Sequence, residues 1–132
     1  MVVALSTAQA AEPQTLTLAC QGTTTSGLED AKPEPVSMGI IVNFTNRTVQ
    51  GFDQVGLFGE LIDYPVKITA WNDVTVVFKG DFAKFSTHSI TGTIDRVTGD
   101  VWANSIMTDA KTGKIITSTS YALKCRPTQR MF

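Results

Sequence analysis

The chain has 132 residues, the size of a single domain, and its hydrophobic content of 42% excludes an intrinsically disordered protein. Its 11 basic and 12 acidic residues leave a formal net charge of −1. A nucleic-acid-binding protein needs a basic face that releases phosphate counterions, so we expect no nucleic-acid partner.

Residues 1–11 have features of a secretion signal. A short apolar stretch, Met1–Leu5, precedes Ala8-Gln9-Ala10, which fits the small-residue pattern of a cleavage site. The basic segment and longer apolar run of a whole signal are missing, so we interpret residues 1–11 as a remnant, with an alanine-rich tail as the alternative. We predict a soluble, periplasmic or secreted protein with one β domain over 12–132. No stretch reaches the roughly 20 apolar residues of a membrane helix, so no membrane insertion is expected.

Almost all of the remaining chain alternates apolar and polar residues with a period of two, which is typical of strands. In one such run, Val36, Met38, Ile40, Val42 and Phe44 share a face. We predict eight strands, at 15–25, 36–44, 47–52, 64–71, 73–79, 86–96, 99–109 and 114–126.

Short segments with Gly or Asn separate most of these strands, as in Thr45-Asn46-Arg47 and Val97-Thr98-Gly99. They are typical of hairpins, so we expect antiparallel neighbours. Pro33 and Pro35 indicate an irregular first connection, and Pro127 is expected to end the last strand. An even number of meandering strands predicts an all-β fold that forms a closed or nearly closed small barrel, with a two-sheet sandwich as the alternative.

Residues 51–63 follow neither the helical nor the strand period, although they contain six apolar residues and three glycines. We interpret this segment as a loop or short helix that plugs one end of the barrel. A mobile lid or a docking loop is the alternative.

Cys20 and Cys125 each lie on the apolar face of a predicted strand, and two cysteines in an exported chain are expected to pair. The disulfide would join the first strand to the last. In an antiparallel pairing, Gly22 faces Leu123 and Thr24 faces Tyr121, whereas a parallel pairing places Leu18 opposite Leu123. We predict the antiparallel pairing; two reduced thiols in a cytosolic protein are the alternative.

The last strand carries the candidate ligand-binding residues. Its apolar face runs from Ile115 to Cys125 and includes Thr117, Thr119 and Tyr121. Hydroxyl groups in an apolar wall are typical of a ligand cavity, although threonine also fills β cores because of its branched shape.

The single histidine, His88, shares the parity of Ile90 and is expected at the mouth of the core face, where it joins the candidate ligand-binding residues. A solvated histidine at a strand end is the simpler interpretation. As a general base it would need an orienting acid, for which Asp81 and Asp95 are the candidates.

We predict no metal site and no cofactor, since one histidine, two paired cysteines and acids at turn positions do not form a ligand set. A phosphate-binding loop is also missing. Distant strands can still bring two acids together, so a hydrolase with a carboxylate-based site stays open as a minor alternative.

Several stretches resemble short secreted β-rich proteins of alphaproteobacteria: Leu18-Ala19-Cys20-Gln21-Gly22, Ile90–Gly99, Leu123-Lys124-Cys125-Arg126-Pro127 and the ending Gln129-Arg130-Met131-Phe132. The resemblance implies export and carries no implied activity. The strand layout is also similar to avidin-like and lipocalin-like barrels and to small periplasmic protease inhibitors.

These observations together favour an exported, non-catalytic binding or interaction module that holds a small ligand in the barrel or a protein at its loops. A periplasmic inhibitor or envelope structural protein is the alternative. It would act through loop 51–63 or through the basic tail at 126–130.

Overall fold

The computed structural model describes residues 14–27, 31–52, 54–55, 61–62, 66–83 and 86–129. The predicted secretion signal at 1–11 lies outside these ranges. Within them, a helix long and apolar enough to cross a membrane is absent. The strands are β1 (Thr15–Ser26), β2 (Glu34–Asn43), β3 (Thr48–Gln50), β4 (Gln54–Val55), β5 (Leu61–Ile62), β6 (Val66–Trp71), β7 (Thr75–Ala83), β8 (Ser86–Asp95), β9 (Asp100–Asp109) and β10 (Ile115–Thr128).

Eight of the strands close into one antiparallel barrel in the order β1-β10-β9-β8-β7-β6-β3-β2. This confirms the predicted small barrel over the two-sheet sandwich. Strands β4 and β5 pair with each other in a separate small sheet, within the segment expected to be a loop or a short helix. Closure leaves no open sheet edge around most of the barrel, because each long strand finds partners on both sides.

The first and last strands of the barrel are joined as predicted. Cys20 lies directly opposite Cys125 in an antiparallel register, with a Cα–Cα distance of 4.0 Å, and the two form a disulfide. The same register places Gly22 opposite Leu123 and Thr24 opposite Tyr121. A short Cα–Cα distance is typical of the non-hydrogen-bonded positions of an antiparallel pair.

Two prolines lie inside strands, contrary to expectation. Pro35 belongs to β2 and Pro127 to β10, where it pairs with Leu18 of β1. Each is tolerated because, among the described residues, one side of its strand has no partner at that level. Strand β9 pairs with β10 only as far as Lys124, and β3 pairs with β2 only over 41–43. Because proline lacks a backbone N–H, it is tolerated on such a free edge, where no ladder hydrogen bond is lost.

The expectation that Ile115 shares the inward face of Thr117 is wrong. The register of β10 against β9 shifts between these two residues, and the side chain of Ile115 is 65% exposed. A similar shift follows Ile68 in β6. A β-bulge of this kind reverses the side-chain direction on one side of it, which a strict period of two cannot anticipate.

In four turns the first residue is an Asn or Asp whose side-chain oxygen accepts hydrogen bonds from backbone amides of the turn. Oδ1 of Asp95 accepts hydrogen bonds from the amides of Val97 and Thr98 at 2.9 and 3.0 Å. Asp109, Asn72 and Asn43 accept comparable bonds in their own turns. This local bonding explains why the hairpins lie where the Asn and Asp residues are placed along the chain.

The hydrophobic core lies towards one end of the barrel. This end contains the beginning of β1, the end of β10 and three tight turns. Phe44 is buried there and its ring lies 5.9 Å from that of Trp71. Arg47 covers Trp71, and Arg96 covers Phe44, each at 5.1 Å from the ring centre. We call the opposite end, where β1 finishes and β10 begins, the mouth.

Candidate ligand-binding site at the mouth of the barrel

The inner wall of the barrel changes from apolar to polar at the same level on three neighbouring strands. Leu123 of β10 lies between Gly22 of β1 and Val101 of β9, and all residues of the wall below them are apolar or cysteine. Towards the mouth the same faces carry hydroxyl groups. These are the side chains of Thr24 and Ser26 on β1, Thr117, Thr119 and Tyr121 on β10, and Ser105 on β9, which we call the polar wall.

The register brings the members of the polar wall together. Thr119 pairs with Ser26 on one side and with Ser105 on the other. Directly opposite side chains on one face of a sheet have Cβ atoms about 5 Å apart, so these hydroxyl groups form a continuous row. Such a row provides hydrogen-bond donors and acceptors without any charge.

A cavity of about 330 Å³ opens at the mouth beside this row. Three hydroxyl residues of the polar wall line it, together with Ala31 and Lys32 from the chain that connects β1 to β2, and Glu34, the first residue of β2. Its lining consists of Thr24, Ser26, Ala31, Lys32, Glu34 and Thr119. The volume lies at the lower limit for pockets that hold a small molecule. Lys32 and Glu34 are exposed at the rim.

The four predicted ligand-binding residues occupy different positions around this cavity. Thr119 lines it directly. Tyr121 lies one step deeper and Thr117 one step nearer the mouth on the same inner face. His88 lies two strands away, since Thr117 pairs with Met107 of β9 and Met107 pairs with His88 of β8. The structure therefore groups the three residues of β10 and places the histidine on the adjoining wall.

His88 is not a solvated histidine, contrary to the simpler interpretation of the sequence. Only 1% of it is exposed, because it faces inward between Phe82 and Met107. Neither proposed acid accompanies it. Asp81 is exposed and pairs with Ser89, which faces outward, and Asp95 lies at the far end of β8. The arrangement of a base with an orienting carboxylate is therefore not formed by these residues.

Aromatic side chains form the floor below the polar wall. The ring of Phe52 stacks on Phe78 with 5.4 Å between ring centres and meets Tyr121 edge-on at 5.3 Å. Phe52 is buried, as the plug interpretation of residues 51–63 requires for this residue. Most of that segment, including the parts on which a lid or docking role depends, lies outside the described residues.

One further pair of carboxylates lies in a shallow groove on the outer surface, beside the exposed Trp102. The amides of Thr98 and Val97 lower the pKa of Asp95 by hydrogen bonding to it. A hydrogen bond from Lys124 at 3.0 Å lowers the pKa of Asp100, as does the hydroxyl of Thr98. A general acid needs a raised pKa, whereas the pKa of each of these two carboxylates is lowered. The pair therefore stabilises a turn and does not provide a general acid. Among the described residues, no three His, Cys, Asp or Glu side chains are grouped as metal ligands.

Thr24, Ser26 and Ser105 were not among the predicted site residues, although the sequence contains a signal for each. All three continue the inward parity of an apolar run: Leu18 and Cys20 on β1, and Val101 and Ala103 on β9. A polar residue that continues such a run towards the same end of several strands indicates a polar lining. Glu34 continues the inward parity of Val36 and Met38 in the same way, whereas Lys32 lies outside the strands and had no comparable signal.

The fold and this site define a small, disulfide-linked β-barrel with a polar cavity at one end. No protein-family model matches the chain, and no curated protein or solved structure was found to be similar to it. The resemblance to secreted proteins of alphaproteobacteria therefore stays a prediction.

Proposed function

We propose that this protein is an exported, non-catalytic binding protein that holds a small molecule in the mouth of its barrel. The observation that carries the proposal is the convergence of Thr24, Ser26 and Thr119 on the cavity. These three side chains are only partly buried, so they offer hydroxyl groups to a molecule that occupies the cavity.

The location outside the cytoplasm is supported by the disulfide. Cys20 and Cys125 are 2% and 8% exposed and join strands that are 105 residues apart in the chain. Disulfides of this structural kind persist in oxidising compartments such as the periplasm or the extracellular space. We therefore place the binding function in one of these two compartments.

Native mass spectrometry of the protein isolated from the cells that produce it tests this proposal. We expect an additional bound mass under gentle conditions that disappears when the protein is denatured. In the Thr119→Phe variant the new ring fills the cavity, so the bound mass should be lost. Ser120→Phe is the matched control, because Ser120 is the next residue of β10 and is exposed on the outer surface.

Circular dichroism and the melting temperature of both variants establish that each is folded. A bound mass that survives in Thr119→Phe contradicts the proposed site. If no bound mass is found on the unmodified protein, the proposed function itself is wrong.

A further inference from the structure

We infer that the part of the ligand that enters the barrel is uncharged, is flat, and accepts a hydrogen bond from Ser105. The inference rests on the proposed function and specifies its ligand class. A small aromatic or heteroaromatic molecule with an amide or carbonyl group has this chemistry. Charge, hydrogen bonding and shape each contribute a separate argument.

Apart from the buried imidazole of His88, the described inner wall carries acidic or basic side chains only at strand ends. Among the inward positions, only Glu34 and Asp109 are acids, and both lie at the end of a strand next to the mouth. Asp109 is engaged in its own turn, where its carboxylate accepts two backbone hydrogen bonds. His88 lies at the level of Thr117, one step nearer the mouth than Thr119. An ionised ligand group placed deeper than Thr119 would therefore be buried with no acidic or basic side chain at its own level, which is strongly unfavourable.

Ser105 provides the hydrogen-bonding argument. It is 5% exposed, it faces inward, and it lies between Thr119 of β10 and Ile90 of β8. Among the described residues, its hydroxyl group makes no hydrogen bond. Buried polar groups almost always have a partner, so a ligand oxygen that reaches past Thr119 would satisfy this group.

The aromatic floor provides the shape argument. Tyr121 is only partly buried, whereas Phe52 and Phe78 beneath it are buried. Tyr121 does not line the cavity itself but lies one step deeper than Thr119 and is directly paired with Thr24, so a ligand group that passes Thr119 would meet its ring next. Flat rings pack well against such a ring, in stacked or edge-on geometry.

Three probes of nearly identical shape separate these features: benzamide, benzoate and benzylammonium. Each is titrated into the full-length, oxidised protein, and binding is followed by the amide NMR signals of Thr24, Ser105 and Thr119. We expect benzamide to bind at least about tenfold more tightly than either ion, because only the ions lose hydration without gaining a counter-charge.

Conservative variants test the hydrogen-bonding residues. Ser105→Ala and Thr119→Val should each weaken benzamide binding about fivefold, the usual effect of losing one neutral hydrogen bond. Ser120→Ala should leave the affinity unchanged, because this hydroxyl group lies on the outer face and bonds Asn104.

The outcomes distinguish this inference from the proposed function. If benzoate or benzylammonium binds as tightly as benzamide, or if Ser105→Ala has no effect, the ligand class inferred here is wrong and the binding function stands. If none of the three probes shifts the mouth signals, the inference is also wrong. The native mass spectrometry described above then shows whether the proposed binding function is also wrong.

Discussion

Gly99 shows how a single residue supports the joint between two strands. Its φ is +83°, in the left-handed region, and a Cβ atom at this position would lie 2.3 Å from the carbonyl oxygen of Cys125. The amide of Cys125 also donates a hydrogen bond of 2.8 Å to the Gly99 oxygen. The turn before β9 therefore contacts the backbone of β10 beside the disulfide, and glycine is the residue that permits this contact.

We predict that Gly99→Ala is far more destabilising than Gly113→Ala. Gly113 has a similar φ of +74°, but nothing lies within 4 Å of the position of its Cβ. Its substitution should cost only the left-handed strain, about 1 kcal/mol, whereas Gly99→Ala should cost about 3 kcal/mol because of the added clash. Urea unfolding measures both changes in free energy. Equal losses would show that the contact with Cys125 is relieved at little cost.

The turn carboxylates make a pH-dependent contribution to stability. Hydrogen bonds from Thr98 and Val97 lower the pKa of Asp95, and those from Thr112 and Lys111 lower the pKa of Asp109. The folded-state pKa is then below the unfolded value of about 3.9. Each carboxylate therefore stabilises the fold above about pH 3.9, and this contribution is lost as the pH falls through the folded-state pKa.

We predict that Asp95→Asn flattens the acid side of the stability profile. Asparagine keeps the oxygen that accepts both turn hydrogen bonds but does not titrate. Free energies of unfolding between pH 2.5 and 6 should therefore converge for the two proteins as the pH falls. Asp95→Ala loses the acceptor and should be less stable than Asp95→Asn across the whole range. An unchanged acid slope in Asp95→Asn would rule out this role for Asp95.

At the scale of the strands, the extent of backbone pairing differs from one side of the barrel to the other. Strands β7, β8 and β9 pair along nearly their whole length, whereas β2 meets β3 only over 41–43 and β3 meets β6 at one pair, Thr48 with Lys67. Within the part of the chain that the structure describes, the seam formed by β2, β3 and β6 thus has few backbone hydrogen bonds. Local opening is expected to begin where backbone pairing is sparsest.

Hydrogen exchange should therefore divide the barrel into two regions. We predict that the amides of residues 48–50 exchange at least about a hundredfold faster than those of residues 90–94 in the centre of β8. NMR measurement on the oxidised protein tests this difference. Uniform protection across both groups would mean that the barrel opens only as a whole.

At the scale of the whole molecule, one disulfide joins β1 to β10, and β1 is also the neighbour of β2 at the edge of the weak seam. The bridge closes a loop of 105 residues in the chain. Restricting the unfolded chain by such a loop stabilises the fold by about 4 to 5 kcal/mol in the chain-entropy description. Without the bridge, the pairing of β1 with β10 alone must hold the two ends of the meander together.

We predict that the Cys20→Ala/Cys125→Ala double variant loses about 4 kcal/mol of unfolding free energy, most of a small domain's stability. Urea unfolding of the variant, compared with the oxidised protein, measures the loss. Chemical reduction of the unmodified protein should produce a loss of similar size. A change below about 1 kcal/mol would mean that the bridge does not restrict the unfolded chain as described.

Most of the strand pattern was accessible from the amino-acid sequence because it depends on local chemistry. The period of two assigned the strands and their inward faces, and Asn, Asp and Gly marked the turns. The pairing of Cys20 with Cys125, and of Thr24 with Tyr121, followed once both strands were assigned. Thr119 and Tyr121 were placed correctly on the inner wall for the same reason.

The tertiary structure alone decided the features that depend on distant parts of the chain. Which strand lies alongside decides the choice of the predicted barrel over the alternative sandwich, the bulge beside Ile115, the burial of His88 and the edge positions of Pro35 and Pro127. The cavity likewise needs β1 and β10 to meet in one register, although about a hundred residues separate them. Local periodicity determines the direction of a side chain, whereas only the packed fold determines its neighbours.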